Sequence, residues 1–522
     1  MFDLLIQGGE VVDGLGSPRQ ASDVAVRGER IVGLGKFTAD SARRVIDARG
    51  LVTTPGFIDV HNHTDGWLLK QPNFASKTLQ GVTTEVLGSD GISYAPTTSA
   101  LAPQWIHHLR SLNGLELADY SGWESLADYY NLLDGRTAQN VVAQIPYANL
   151  RMLASGWSQR KLDDLQIKLM QYAIVHGMES GAVGVSTGLD YVNEFYASTD
   201  ELTECVAAMR PYNGLYVTHV RYKKGLVSAV KEAVDICRRA GVRLHISHLK
   251  ADAATQPELL AYLDEAAREV DLSFDVYPYM PGSTMLHSLL PNEVWDDGPL
   301  AAAAKLLDPD VRRRFGEYLH TEARTKIHVI RIAWLPSKAN ARFQGMSLAE
   351  YIAAVGRSPA DALCDLLIEE NMSVLCVFHV GDDALVEPFL KHDKFMFGSD
   401  GIYQPDGPVH PRHFGGAARM VGRIVRERRW LTLEEAVRKM TSVPAARFGL
   451  VDRGEVREGA FADLAVFDPD KIDDPATFDN PRQHAVGMHE VLVNGTSIVS
   501  EGRALEKLDN WPGRWLKPGG AS

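Results

Sequence analysis

The sequence predicts an α/β fold, a (β/α)8 TIM barrel joined to a small β domain assembled from both chain ends. Three observations carry this. Strand-like runs alternate with helical stretches through the middle of the chain, those runs number eight, and both ends read as short strands broken by glycine turns. At 522 residues the chain exceeds one simple core, and 45% hydrophobic with 23% charged residues is an ordinary globular composition.

Residues 1 to 54 hold candidate strands at 3–7, 24–26, 30–34 and 44–47, with no helical periodicity. The far end repeats the style in Ala462–Asp468 and Glu490–Ser500, the second turning at Asn494-Gly495, a strong hairpin signal. Residues 1–54 and 450–522 are therefore assigned to the β domain and 55–449 to the barrel. The barrel strands end near His63, Ser89, Tyr147, Gly188, His219, His248, Tyr277 and Asp400. His219, His248 and Tyr277 stand 29 residues apart in turn, one strand and helix each. Between Tyr277 and Asp400 lie 123 residues with further strand candidates at 326–333 and 373–380, so an inserted segment is expected at about 280–345. A doubly wound open sheet is the competing fold, but no G-x-G-x-x-G follows an early strand.

Lys and Arg total 54 against 67 Asp and Glu, a formal charge of -13, which offers no basic field to nucleic acid or anionic lipid. No run approaches the 18 apolar residues of a membrane helix, and the first residues lack a basic leader and a long apolar stretch. Neither a nucleic-acid nor a membrane partner is expected. The four cysteines, Cys205, Cys237, Cys364 and Cys376, form no C-x-x-C pair, which fits a reduced, cytoplasmic setting. A homo-oligomer stays open.

The chemistry collects at strand ends. In Phe57-Ile-Asp-Val-His61-Asn-His63, strand alternation points both imidazoles to one side, where they can grip one metal. His219 and His248 close two more apolar strands, at the end of a barrel where catalytic groups gather. Neutral imidazole suits zinc and its neighbours. His245, three residues before His248, is off this pattern and reads as structural. Asp400 ends Lys394-Phe-Met-Phe-Gly-Ser-Asp400, where a carboxylate can bind metal and take a proton from water.

With these residues in place, the chain resembles the amidohydrolase superfamily and, within it, the N-acyl-D-amino-acid deacylase (D-aminoacylase) branch. The likeness runs from Thr54-Pro-Gly-Phe-Ile-Asp-Val-His-Asn-His63 through Gly181–Leu189, Thr218-His219, Ile246-Ser-His-Leu-Lys250, Asp275-Val-Tyr-Pro-Tyr279, Gly398-Ser-Asp400, His410-Pro-Arg412, Lys439–Arg447 and Gly459–Leu464. It implies a barrel flanked by a β-sandwich from both ends, with the insertion after the seventh strand. It also implies one or two divalent ions, zinc first, with His61, His63 and Asp400 at one position and His219 with His248 at the other. Asp400 would shuttle the proton. Arg412 would hold a substrate carboxylate, and Tyr277 and Ser283 would touch the substrate, a small amide bearing that carboxylate.

The branch usually carries a metal-binding cysteine in Gly-Asn-Cys-Gly after the second strand; here the stretch is Gly88-Ser-Asp90-Gly91. The fourth strand offers no lysine that could take the cysteine's place once carboxylated. Asp90 is expected to bind or bridge the metals instead, a harder ligand that shifts preference toward Mn²⁺, Fe²⁺ or Co²⁺. The expected reaction is deacylation of N-acyl-D-amino acids to a D-amino acid and a carboxylate. The alternatives are a cyclic-amide, hydantoin-type or dipeptide hydrolase of the same superfamily, and a degenerate barrel acting as a scaffold.

Overall fold

The structure, a computed structural model, describes residues 1–321 and 326–519. Eight strands form the barrel: β1 (Phe57–Asp59), β2 (Val82–Leu87), β3 (Asn140–Ala143), β4 (Gly184–Gly188), β5 (Leu215–His219), β6 (Arg243–Ile246), β7 (Leu272–Val276) and β8 (Phe395–Phe397). β1 pairs with β2, and β2 with β3, in parallel. β3 breaks at Gln144, and its continuation Ile145–Pro146 pairs with β4. From β4 the parallel ladder runs without interruption to β8. Val60 donates to the carbonyl of Phe397 at 3.3 Å and closes the ring. Such strands are buried on both faces, which is why they read as apolar runs; every residue of β1, β2, β3 and β7 is buried.

Ile58, Val60, Val86, Val142, Val183, Leu215, Val217 and Met396 pack together inside the ring. Ala445, Phe448, Leu450 and Leu516 join the same cluster, so the far end of the chain plugs the barrel. This corrects the expectation that 450–522 belongs wholly to the β domain. Trp515–Leu516 lies parallel to β3, Val141 opposite Trp515 and Val142 opposite Leu516. The break at Gln144 leaves that flank of β3 without a partner, and the chain end fills it.

The β domain is a sandwich of two sheets. One holds Phe2–Gln7, Asp23–Arg27, Arg30–Gly35 and Ala42–Asp47. The other joins Val52–Pro55 to Leu464–Phe467, Met488–Val493 and Thr496–Ser500. Leu4, Ile6, Val24, Val26 and Ile46 from one end meet Leu464, Val466 and Leu492 from the other.

The insertion after β7 has its own sheet. Leu375–Phe378 is the middle strand, antiparallel to Gly282–Met285 and to Ile330–Trp334. A separate cluster around Leu286, Trp295, Phe315, Ile332, Leu363 and Leu367 forms its core. The inserted layer therefore reaches Phe378 and not 345, because its central strand is the last of the three to leave the chain.

Candidate metal centre

Barrel closure builds the site. Beyond β1 and β8 the chain continues in register: Asp400 donates its backbone N–H to the carbonyl of His61 at 2.7 Å, and His63 donates to that of Gly401 at 3.0 Å. The segment carrying two imidazoles is thereby laced to the segment carrying the carboxylate. Three of the converging residues hold left-handed backbone, Asp90 at φ 56°, His248 at 37° and Asp400 at 48°, a conformation that costs non-glycine residues energy and clusters at functional sites. The turn around Asp90 is packed against its neighbours. A Cβ on Gly188 would lie 2.3 Å from the Asp90 carbonyl oxygen, and one on Gly91 would lie 2.1 Å from Glu194 Oε1.

Asp90 is the hub. His61 Nε2 stands 3.5 Å from its Oδ1 and His63 Nε2 3.7 Å from its Oδ2. On the other side His248 Nε2 is 3.6 Å and His219 Nδ1 3.9 Å away. Two ligand-competent groups result, His61 with His63 and Asp90, and Asp90 with His219 and His248, each gathering its donor atoms within 4.8 Å. His61 Nε2 and Asp90 Oδ1 are buried with no hydrogen-bond partner. Buried polar atoms without partners, aimed at one another across ion-sized gaps in a nitrogen and oxygen donor set, fit a divalent cation. Asp400 faces the first group, its Oδ1 3.4 Å from His63 Nε2, while its Oδ2 takes the Arg412 guanidinium at 2.8 Å.

Behind the imidazoles stands a layer the sequence reading did not single out. Asp275 places Oδ2 3.5 Å from His61 Nδ1 and 3.0 Å from His245 Nε2, and its Oδ1 accepts from the backbone N–H of His248 at 3.0 Å. It thus turns His61 so that Nε2 points at Asp90. His245 touches none of the central atoms; its Nδ1 lies 2.8 Å from Ser273 Oγ, so it braces Asp275. Asp190, just past β4, lies 3.4 Å from His219 Nε2, and Tyr222 Oη lies 3.3 Å from His248 Nδ1. The signal for Asp275 was available, a carboxylate two residues before Tyr277 on a buried strand.

The charges follow. Burial opposes the Asp90 charge, but His61 and His248 hold its carboxyl well below the usual range. Asp275 is lowered too, burial being outweighed by His61 and His245. Burial pushes His61 down, yet Asp90 and Asp275 carry it well above an ordinary imidazole. Burial keeps His248 low, in the neutral form a metal ligand needs. Asp400 is raised by burial and lowered further by Arg412, His63 and the other imidazoles, and stays ionised.

The expected substrate contacts divide. Arg412 is fully buried, its guanidinium 4.4 Å from the centre of the Tyr277 ring, and Lys250 Nζ stands 3.7 Å from the same centre. Ser283 is placed differently: its hydroxyl donates to the Cys376 carbonyl at 2.8 Å, while its own carbonyl accepts from Arg412 Nη2 at 3.4 Å. The wall beside Arg412 is therefore held by backbone.

A family model described as "Amidohydrolase family" matches residues 44–499. D-aminoacylase of Alcaligenes xylosoxydans xylosoxydans is 34% identical over 509 residues, 96% of this chain and 95% of that protein. N-acyl-D-glutamate deacylase of the same organism is 35% identical over 533 residues, 99% and 96% of the two chains. The crystal structure of N-acyl-D-glutamate deacylase from Bordetella bronchiseptica, complexed with zinc and a phosphonate mimic of the tetrahedral intermediate, superposes with a TM-score of 0.83 at 32% identity, covering 99% of each chain. A D-hydantoinase structure, TM-score 0.56 at 15% identity over 99% of each chain, shares the fold alone.

Proposed function

The chain belongs to the amidohydrolase family, and on that premise we propose that it is a metal-dependent hydrolase of amide C–N bonds that deacylates N-acyl-D-amino acids. The products are the D-amino acid and a carboxylate. The observation that carries this reading is the convergence of four imidazoles and Asp400 around Asp90, with a buried arginine alongside.

His61, His63 and Asp400 would hold one ion and His219 with His248 the other, Asp90 contributing to both where the branch uses a thiolate. Zinc, present in the solved relative, supplies Lewis acidity toward the amide carbonyl. The rest falls to this chain. Asp400 takes the proton of the attacking water and returns it to the leaving nitrogen. Arg412 receives the substrate carboxylate in an apolar setting flanked by Tyr277, where a guanidinium fork is effective. That carboxylate competes with Asp400 for the guanidinium, so docking relieves the charge that makes Asp400 a weak base. Ser283 orients Arg412 through its carbonyl. β4 carries no lysine, which leaves the hydantoin-type reading without a structural anchor.

No described helix is long and apolar enough to cross a membrane. All four cysteines are buried and unpaired, which supports a reducing, cytoplasmic setting.

The direct test is Asp400→Asn assayed with N-acetyl-D-methionine. A loss in kcat of roughly 10²- to 10⁴-fold, with a divalent ion still bound, is expected for removal of the proton shuttle. Undiminished turnover sinks the assignment.

A further inference from the structure

β4 gives no donor atom to either ligand group, yet it holds the turn that carries the central one. Asp90 has left-handed backbone between two left-handed glycines, at φ 78° for Gly88, 56° for Asp90 and 71° for Gly91. A non-glycine residue keeps that conformation only where its surroundings over-determine it. Ser186, on β4, does this from one side. Its hydroxyl accepts from the backbone N–H of Gly91 at 3.1 Å and donates to the carbonyl of Gly88, so one oxygen ties both ends of the turn.

Glu194, in the segment after β4, does it from another. Its Oε2 accepts from the backbone N–H of Gly188, the residue packed against the Asp90 carbonyl, and its carboxyl fills the space where Gly91 has no side chain. Glu194 is fixed in its turn. Asn193, next to it in the chain, accepts from Nη1 of the fully buried Arg151 at 2.8 Å and donates to the Ala148 carbonyl at 3.1 Å. An acid is a costly choice for this place, since burial, and then the Asp90 charge, raise the Glu194 carboxyl well above the usual carboxylate range. Groups so perturbed gather where function needs them.

The placement matters because Asp90 acts through two oxygens, each 3.5–3.9 Å from one imidazole of each pair. A ligand displaced by about 1 Å is enough to spoil such a centre. We propose that Ser186 and Glu194 are positioning residues that fix the Asp90 carboxylate between the two imidazole pairs, so that metal affinity depends on them. This rests on the metal-centre reading above.

Zn²⁺ titration of the metal-free full chain against a chromophoric chelator tests it. Ser186→Ala and Glu194→Ala are each expected to bind roughly 10- to 100-fold more weakly than wild type, with the near-ultraviolet circular dichroism unchanged. Ser186→Ala removes a single oxygen, so the test does not depend on how well Glu194→Ala folds. Glu194→Gln keeps the acceptor for Gly188 and the filled space, and is expected to bind as wild type does. Asp90→Ala is expected to mask both alanine substitutions, because their effect passes through Asp90, whereas a purely structural role would add to it. Wild-type affinity in both alanine variants, Glu194→Gln as weak as Glu194→Ala, or a further loss on top of Asp90→Ala overturns the proposal. A wild type that binds no divalent ion overturns the metal centre as well.

Discussion

Asp90 lies between two pairs of imidazoles, and each of its oxygens faces one imidazole of each pair, Oδ1 toward His61 and His248 and Oδ2 toward His63 and His219. If it binds both ions, Asp90→Ala removes a donor from each position and leaves four imidazoles facing an empty centre. Metal analysis after dialysis is expected to show at most one ion per chain, with Asp90→Cys restoring the second; two tightly held ions in Asp90→Ala refute the bridging role. Deeper in the barrel wall, burial raises the Glu85 carboxyl from 4.5 to about 7. Between those two pH values the folded protein keeps a proton that the unfolded chain has released. Stability therefore falls as pH rises through that window, by about 3 kcal/mol in all. Glu85→Gln can keep the contacts to Thr64 and Gln139 without the charge. Denaturant titrations are expected to show it close to wild type at pH 5 and more stable at pH 8; equal gaps at both contradict the assignment. At this scale the sequence was legible where chemistry and position coincided, as at His61, His63, His219, His248 and Asp400. It left open the roles of Asp275 and Asp190, which depend on which imidazole nitrogen each one faces.

Elements carry these residues to one point because of where strands end. The segments after β1 and β8 exchange backbone hydrogen bonds, so His61, His63 and Asp400 are fixed by ring closure and not by local sequence. Alternation of apolar runs with helical stretches was enough to mark all eight strands, since parallel barrel strands are buried on both faces. The extent of the insertion was hidden, because antiparallel pairing between Gly282–Met285 and Leu375–Phe378 spans some ninety residues that no local pattern links. The terminal strand was hidden too, since Trp515–Leu516 is only two residues long. Both side chains are buried, at 6% and 3% exposure. Ending the chain at Asn510 is expected to cost at least about 3 kcal/mol, from two side chains at about 1.5–3 kcal/mol each. Urea unfolding of the truncated chain measures this, and an unaltered midpoint contradicts the plugging role.

The whole molecule places its chemistry at the strand ends of a closed barrel, beneath an inserted layer with its own core and beside a sandwich that ties both chain ends together. Function is then a property of the site and not of the barrel, which the D-hydantoinase shares. In this chain a site centred on the Asp90 carboxylate stands beside the buried Arg412, which pairs with Asp400. The most direct test is amine release from matched N-acetyl-D- and N-acetyl-L-amino acids by protein stripped of metal and reloaded separately with Zn²⁺, Mn²⁺ or Co²⁺. Hydrolysis confined to the D series and dependent on reloading is the expected result. Cleavage that survives metal removal, or a reloaded protein that opens hydantoins and leaves every N-acetyl-D-amino acid intact, would contradict it.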